Sequence, residues 1–172
     1  LKWCGMHGSA AANYIIQESD CIIAVGSRFD DRTTGNTKFY APEAQRKKQI
    51  IHVDIEKRQF CKSINSNYNI NCDSKYFLQN ILEHININYR KKWSSHVSEV
   101  REFNPFKYRI PPNNKINTPQ AINSINNYLK NNNPNNHFIS TGVGNHQMMT
   151  YQFIEGLLPK RIHSSGSLGV MG

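Results

Sequence analysis

Three stretches of this chain carry side chains and spacings suited to chemistry. The first, Arg28-Phe29-Asp30-Asp31-Arg32, puts two guanidinium groups and two carboxylates into five residues, directly after the apolar run Cys21-Ile22-Ile23-Ala24-Val25-Gly26. Behind a buried strand such a cluster lies at the end of a sheet where ligands bind, and a guanidinium there can grip a carboxylate with two hydrogen bonds. The competing reading is an ion-paired surface loop. The second stretch, Thr141-Gly142-Val143-Gly144-Asn145-His146-Gln147, leads from a strand into a helix. Free backbone N–H groups and the helix dipole favour an anion at that junction, and glycine admits it closely. His146 and Gln147 can each donate to a diphosphate oxygen, although the same pattern also describes a tight turn with no ligand. The third, Ser165-Gly166-Ser167-Leu168-Gly169-Val170-Met171-Gly172, follows the strand-like Arg161-Ile162-His163-Ser164 and requires backbone to pass close to a ligand or another strand. Asp54 ends the apolar run Gln49–Ile55, where an acid can accept from ribose hydroxyls, but no G-x-G-x-x-G precedes it.

These groups need elements to hold them. Small and apolar residues at helical spacing (Ala12, Ile15, Ile16) predict a helix over Ser9–Asp20, feeding a strand at Cys21–Gly26, a loop at Ser27–Asn36 and a strand at Gln49–Ile55. Two uninterrupted apolar strands separated by loop and helix predict a parallel sheet with helices on both faces, an α/β architecture. A helix is expected from about Ser74, capped by Asp73 or Ser74. Between Ser98 and Lys115 the pattern fails, with Asn104-Pro105 and Pro111-Pro112-Asn113-Asn114, which places an interdomain linker at about residues 98–116. That divides the chain into 1–97 and 117–172. In the second part Thr118 is read as an N-cap followed by Pro119, and Ile122, Ile125 and Leu129 as the buried stripe. A turn at Asn132–Asn136, a strand at His137–Thr141, a glycine turn and a helix at His146–Glu155 complete a second α/β unit.

Composition excludes several classes. No apolar run reaches the ~18 residues that cross a bilayer, so no membrane role is expected. The four cysteines occur singly, without zinc-ligand spacing, and read as reduced, packed thiols. A net charge of +9 raises the question of nucleic acid, but Lys and Arg are scattered without aromatic interleaving, so no nucleic-acid partner is expected. Leu1 at one end and a glycine-rich stop at the other read as cut ends of a longer chain.

Five segments in order, Gly5-Met6-His7-Gly8-Ser9-Ala10, Ala24-Val25-Gly26-Ser27-Arg28-Phe29-Asp30-Asp31-Arg32-Thr33-Thr34-Gly35, Ile51-His52-Val53-Asp54-Ile55, Ser140–Met148 and Ser165–Gly172, resemble the large catalytic subunit of acetohydroxyacid (acetolactate) synthase, in the thiamine-diphosphate superfamily. The resemblance runs from end to end. It implies the carboxy-terminal part of a flavin-binding middle domain (DHS-like FAD/NAD-binding type), followed by the opening of a thiamine-diphosphate-binding domain. It also implies that two pyruvates, or pyruvate and 2-ketobutyrate, condense with loss of CO2 in branched-chain amino acid biosynthesis. His7, Gly8, Ser27 and Arg28, with Asp54 and Asp73, match the two FAD segments. Gly144, Asn145, His146 and Gln147 match contacts to the thiamine diphosphate tail, and Gly169 and Met171 those that hold its aminopyrimidine in a bent form. Met6 and Arg32 match the substrate channel, where the guanidinium takes the carboxylate of the second 2-keto acid.

The resemblance implies Mg2+ as well, with its ligands beyond Gly172 and the ring-protonating glutamate before Leu1, so this piece is expected to be inactive alone. A homodimer or homotetramer, with a regulatory small subunit, is the implied assembly, and cytoplasm, plastid or mitochondrion the implied compartment. Asn145 stands where glutamine is usual, Met149 where tryptophan is, and Ser167 where glycine is expected. Another thiamine-diphosphate carboligase, decarboxylase or pyruvate oxidase, or a non-catalytic nucleotide-binding module, are the alternatives.

Overall fold

A computed structural model describes residues 1–85, 90–132, 136–155, 160–166 and 168–171. The chain forms two compact units, Trp3–Pro105 and Phe106–Gly172.

In the first unit, helix α1 (Ala10–Glu18) starts at the N-cap Ser9, whose hydroxyl accepts from the Ala12 N–H at 3.1 Å. Its buried residues Ala11, Ala12 and Ile15 are mostly small, which lets neighbouring elements approach closely. Strand β1 (Ile22–Val25) follows, then the one-turn helix α2 (Asp31–Thr34), helix α3 (Pro42–Arg46), β2 (Ile50–Asp54), β3 (Tyr68–Asn71), α4 (Ser74–His84) and α5 (Lys91–Phe103). The strands form a sheet in the order β1-β2-β3, parallel throughout, with Ile22 opposite Ile50 and Ile51 opposite Tyr68. This is the expected α/β architecture, a parallel sheet flanked by helices. The apolar character of β2 follows from it: β2 is the central strand, and Ile50, His52 and Val53 are completely or almost completely buried, whereas on the edge strand β1 Ile23 and Val25 are exposed. Ala24, Phe29, Tyr40, Ala41, Ala44, Ile50 and Ile64 form the core on one face.

Several local expectations are corrected. The loop after β1 contains α2, because Asp30 caps it and Gly35 ends it at φ +58. Ser98–Phe103, expected to open a linker, are the last turns of α5, where Trp93, His96, Val97 and Val100 repeat at helical spacing. That helix stops at Asn104, since Pro105 disfavours helical backbone in the residue before it. Glu18 on α1 pairs with His96 on α5. All four cysteines are free, but Cys21 and Cys61 are exposed rather than packed.

The second unit comprises α6 (Thr118–Asn132), β4 (Ile139–Thr141), α7 (Asn145–Phe153) and β5 (Ile162–Ser164), with β4 and β5 parallel. Asn117, not Thr118, caps α6: its Oδ1 accepts from the Gln120 N–H at 2.9 Å and Thr118 is already helical. The inward face is Ile122 and Asn126, while Ile125 is half exposed. Asn126 belongs inside because its Oδ1 accepts from the Glu155 N–H at 2.9 Å, just past the end of α7. Phe153 closes that end against Phe106 and Tyr108, each edge-on at 5.4 Å. Of the expected turn at Asn132–Asn136, Asn132 is the last helical residue and residues 133–135 lie outside the described ones, as do Ser167 and Gly172. Among the described residues no helix is long and apolar enough to cross a membrane.

Phe29 is 4% exposed and meets the rings of Tyr40 at 5.9 Å and His52 at 5.0 Å, both edge-on. Truncation to alanine leaves a cavity between loop and sheet, so Phe29→Ala is expected to lower the stability of this unit by about 3–5 kcal/mol in urea unfolding. A loss below about 1 kcal/mol would mean that the ring is not a core residue.

Candidate functional site

In parallel strands all carboxyl ends point one way, so the residues that follow β1, β2 and β3 share one edge of the sheet. Ser27 and Arg28 follow β1, Asp54 ends β2, and Asp73 follows β3 by two residues. Four of the six expected flavin residues are thereby brought to one edge. Asp54 is buried, and its Oδ1 accepts from the Glu56 N–H at 2.8 Å. Asp73 uses Oδ1 to accept from Lys75 at 2.8 Å and Tyr76 at 3.2 Å, capping α4. Arg28 is largely exposed, 3.9 Å from Asp30. Two carboxylates and a guanidinium along a parallel-sheet edge fit a group with ribose hydroxyls and phosphates.

His52, which sequence reading passed over, ties the edge together. It is fully buried, and its Nε2 donates to the Ser27 carbonyl at 2.8 Å. Among the described residues its Nδ1 has no hydrogen-bond partner. Its signal was a polar residue alternating with apolar ones inside an otherwise apolar strand.

The other two expected flavin residues, His7 and Gly8, lie in a loop that meets the Arg32 segment. The Met6 N–H donates to the Arg32 carbonyl at 2.7 Å, and an Arg32 guanidinium nitrogen lies 3.5 Å from His7 Nε2. Met6 and Arg32, paired by sequence reading as a substrate channel, are therefore neighbours. Gly8 has a structural use of its own: a Cβ there would fall 2.3 Å from the Trp3 carbonyl oxygen. Beside Met6 and Arg32 an open cleft of about 300 Å³ is lined also by Asn13, Gln17, Thr34 and Tyr40. Asn13 was not legible as a site residue. The available signal was an amide on the helix side that also carries Ser9 and Ile16, one turn either way.

Charge next to this cleft is set locally. Burial alone would raise the Asp30 carboxyl, but hydrogen bonds from Thr33, its N–H at 2.8 Å, with the Arg28 charge and the Arg32 backbone N–H, hold it below the ordinary aspartate value. Burial pushes Tyr40 up to about 12, so at neutral pH it is an uncharged phenol.

In the second unit, α7 begins at Gly144, whose φ of +140° suits glycine, and no side chain caps the helix. Its first residues Asn145 and His146 are exposed. The Val143 N–H donates to the Val170 carbonyl at 2.9 Å, and Gln147 donates to the Ser164 hydroxyl. The turns after β4 and β5 thus touch, with Val143, next to Gly144, bonded to Val170, next to Gly169, which sits at φ +70°. Met171 is 75% exposed. Among the described residues Thr141 Oγ1, buried at the end of β4, has no hydrogen-bond partner. An uncapped helix start, a glycine and an unsatisfied hydroxyl at one sheet edge fit a diphosphate. Among the described residues no group of three or more His, Cys, Asp or Glu side chains could hold a metal ion.

Residues 1–81 match the family described as thiamine pyrophosphate enzyme, central domain. Over its full length the chain is 33% identical to a probable acetolactate synthase large subunit of Methanocaldococcus jannaschii, covering 29% of that protein. It is 34% identical to the mitochondrial acetolactate synthase catalytic subunit of Saccharomyces cerevisiae, covering 26%, and 33% identical to the acetolactate synthase isozyme 2 large subunit of Escherichia coli, covering 29%. The chain spans less than a third of the length of these relatives.

Asp30 offers a direct check on how α2 is held. Loss of its cap in Asp30→Ala is expected to cost about 1 kcal/mol at pH 7. Because the folded carboxyl titrates below the unfolded one, its stabilisation is complete above the unfolded value of about 3.9 and is lost as pH falls through the folded value. The gap between wild type and Asp30→Ala in urea midpoints is therefore expected to hold from pH 7 to about 5 and to narrow in acid. A gap that widens on acidification contradicts the assignment.

Proposed function

Because the chain is related to acetolactate synthase large subunits within the thiamine-diphosphate enzyme superfamily, we propose that it is part of an acetolactate synthase. Such an enzyme joins pyruvate to a second pyruvate or to 2-ketobutyrate with loss of CO2, giving 2-acetolactate or 2-aceto-2-hydroxybutyrate, the first common step toward the branched-chain amino acids. The observation that carries this reading is the apposition of Met6 and Arg32 across a backbone hydrogen bond at the mouth of a cleft.

A 2-keto acid presents a carboxylate, a carbonyl and a short apolar chain. Arg32 supplies a planar pair of donors for the carboxylate, and the exposed Met6 thioether supplies an apolar, adaptable surface for the methyl or ethyl group. Tyr40, neutral at working pH, adds polarity without charge. In the second unit the open N–H groups of the first turn of α7 receive the diphosphate, with Gly144 allowing close approach and His146 adding a donor. Gln147 is held by Ser164, which steadies the turn after β5. Thiamine diphosphate, when bound, supplies the electron sink for breaking and making the carbon–carbon bonds.

In this reading the first unit, Trp3–Pro105, belongs to a middle domain and the second, Phe106–Gly172, to the start of the cofactor domain. Ser27, Arg28, Asp54 and Asp73 then hold FAD along the sheet edge, with His7 and Gly8 from the neighbouring loop. The Mg2+ ligands and the residues that complete the active site are assigned to the remainder of the protein, as is assembly into a homodimer or homotetramer with a regulatory subunit.

The test is Arg32→Ala in the complete enzyme. If Arg32 recognises the second keto acid, acetolactate formation falls on the order of a hundredfold or more while decarboxylation of the first pyruvate changes little. Equal loss of both would instead favour a decarboxylase or oxidase, in which no second carboxylate is recognised.

A further inference from the structure

We propose that Asn13 is the positioning residue of the keto-acid cleft, fixing the separation of Met6 and Arg32 from a distance of one loop. The inference rests on the reading of those two side chains given above and adds what sets their geometry.

The Asn13 amide closes on a single residue from both sides. Its Oδ1 accepts from the Gly5 N–H at 2.7 Å and its Nδ2 donates to the Gly5 carbonyl at 2.9 Å. Only a primary amide offers a donor and an acceptor side by side for such a pair, and glutamine would reach one methylene too far. A carboxylate could accept from the N–H but would face the carbonyl with no proton to give. Gly5 is buried and sits at φ +85°, where a Cβ would fall 2.4 Å from the Arg32 carbonyl oxygen and 2.8 Å from Thr33 Cα. Loop and helix α2 therefore meet main chain against main chain. The next residue, Met6, donates its own N–H to that same Arg32 carbonyl at 2.7 Å.

An unbroken relay runs from α1 through Asn13, Gly5 and Met6 to Arg32. Its ends are anchored, α1 by the Ser9 cap and three buried side chains, α2 by the Asp30 cap. Met6 is 67% exposed and Arg32 is exposed, so packing around their own side chains does little to hold them at a set spacing. Their backbones do, and the Gly5 peptide is the link between them. A keto acid spanning a guanidinium and a thioether is measured by that spacing, so loosening it degrades recognition of the second substrate without touching the cofactor.

The experiment compares Asn13→Ala, Asn13→Asp and Arg32→Ala in the complete enzyme. Two readouts are taken: amide hydrogen exchange, and steady-state KM and kcat for the second keto acid alongside thiamine diphosphate affinity. For Asn13→Ala, exchange at Gly5 and Met6 is expected to rise at least about tenfold while the Ile50–Asp54 strand keeps its protection. The KM for the second keto acid is expected to rise by roughly ten- to a hundredfold, with decarboxylation and cofactor affinity within about twofold of wild type. Asn13→Asp, which keeps the accepting half of the clamp, should fall between, and carries the test if the alanine variant does not fold. Unchanged exchange, an unchanged KM, or an even loss that includes cofactor affinity overturns the proposal. If Arg32→Ala leaves carboligation intact, the keto-acid reading itself fails, and the exchange data still decide whether Asn13 holds the loop.

Discussion

The geometry of the first unit depends on how the segment after β1 is pinned to the sheet, and one aromatic ring does most of that. Phe29 takes a left-handed backbone conformation, φ +47°, which costs an L-residue about 1–2 kcal/mol. Burial against Tyr40 and His52 offsets that cost, since a fully buried phenylalanine gains about 1.5–3 kcal/mol from area alone. With the ring inside, the reversed backbone turns the residues on either side outward. Arg28 and Arg32 are exposed for this reason, and Asp30 is placed to cap α2. Two cations and two anions around one apolar residue is what such a turn requires, so the charged cluster and its hydrophobic centre are one device. The His52 bond to the Ser27 carbonyl secures the same segment from the central strand.

Both units solve the same problem in the same way. Parallel strands deliver their following turns to one edge, where further bonds hold them: the segment after β1 to His52 and, through the Arg32 carbonyl, to Met6 in the first unit, and the turn after β4 to Val170 in the second. What differs is the chemistry left open. The first edge keeps carboxylates and guanidinium groups, which suit hydroxyls and a carboxylate. The second keeps uncapped N–H groups and a hydroxyl without a partner, which suit phosphate.

How much of this was legible in the sequence follows from which forces act locally. Strand β2 was readable because the central strand of a parallel sheet demands continuous apolar residues, β1 because its run is apolar and β-branched even though Ile23 and Val25 stand exposed at the sheet edge, and α1 and α4 because a helix carries apolar side chains at a period of three to four and announces its cap. Strand β3 was not: Tyr68-Asn69-Ile70-Asn71 lies at the sheet margin with every residue exposed, so burial left no mark on its composition. Helix α5 was missed because its exposed lysines, serines and glutamate obscured the Trp93, His96, Val97, Val100 repeat. Ile125 was assigned inward by hydrophobicity alone, whereas Asn126 took that place through a hydrogen bond to a residue 29 positions away. The site shows the same division. Charged and glycine-rich motifs marked where ligand chemistry belongs, but Asn13 and His52 act through long-range bonds to backbone, and no local pattern encodes which peptide a side chain will meet.

The absence of side chains at Gly5 and Gly8 constrains how this cleft can diversify. A single methyl group at either position would collide with main chain 2.3–2.4 Å away, so the loop path is sealed against gradual variation. Met6 lies between those two sealed points with its side chain mostly in solvent. Change in the shape of this cleft therefore falls most readily on residue 6, where a new side chain can be tried without moving the backbone that frames it.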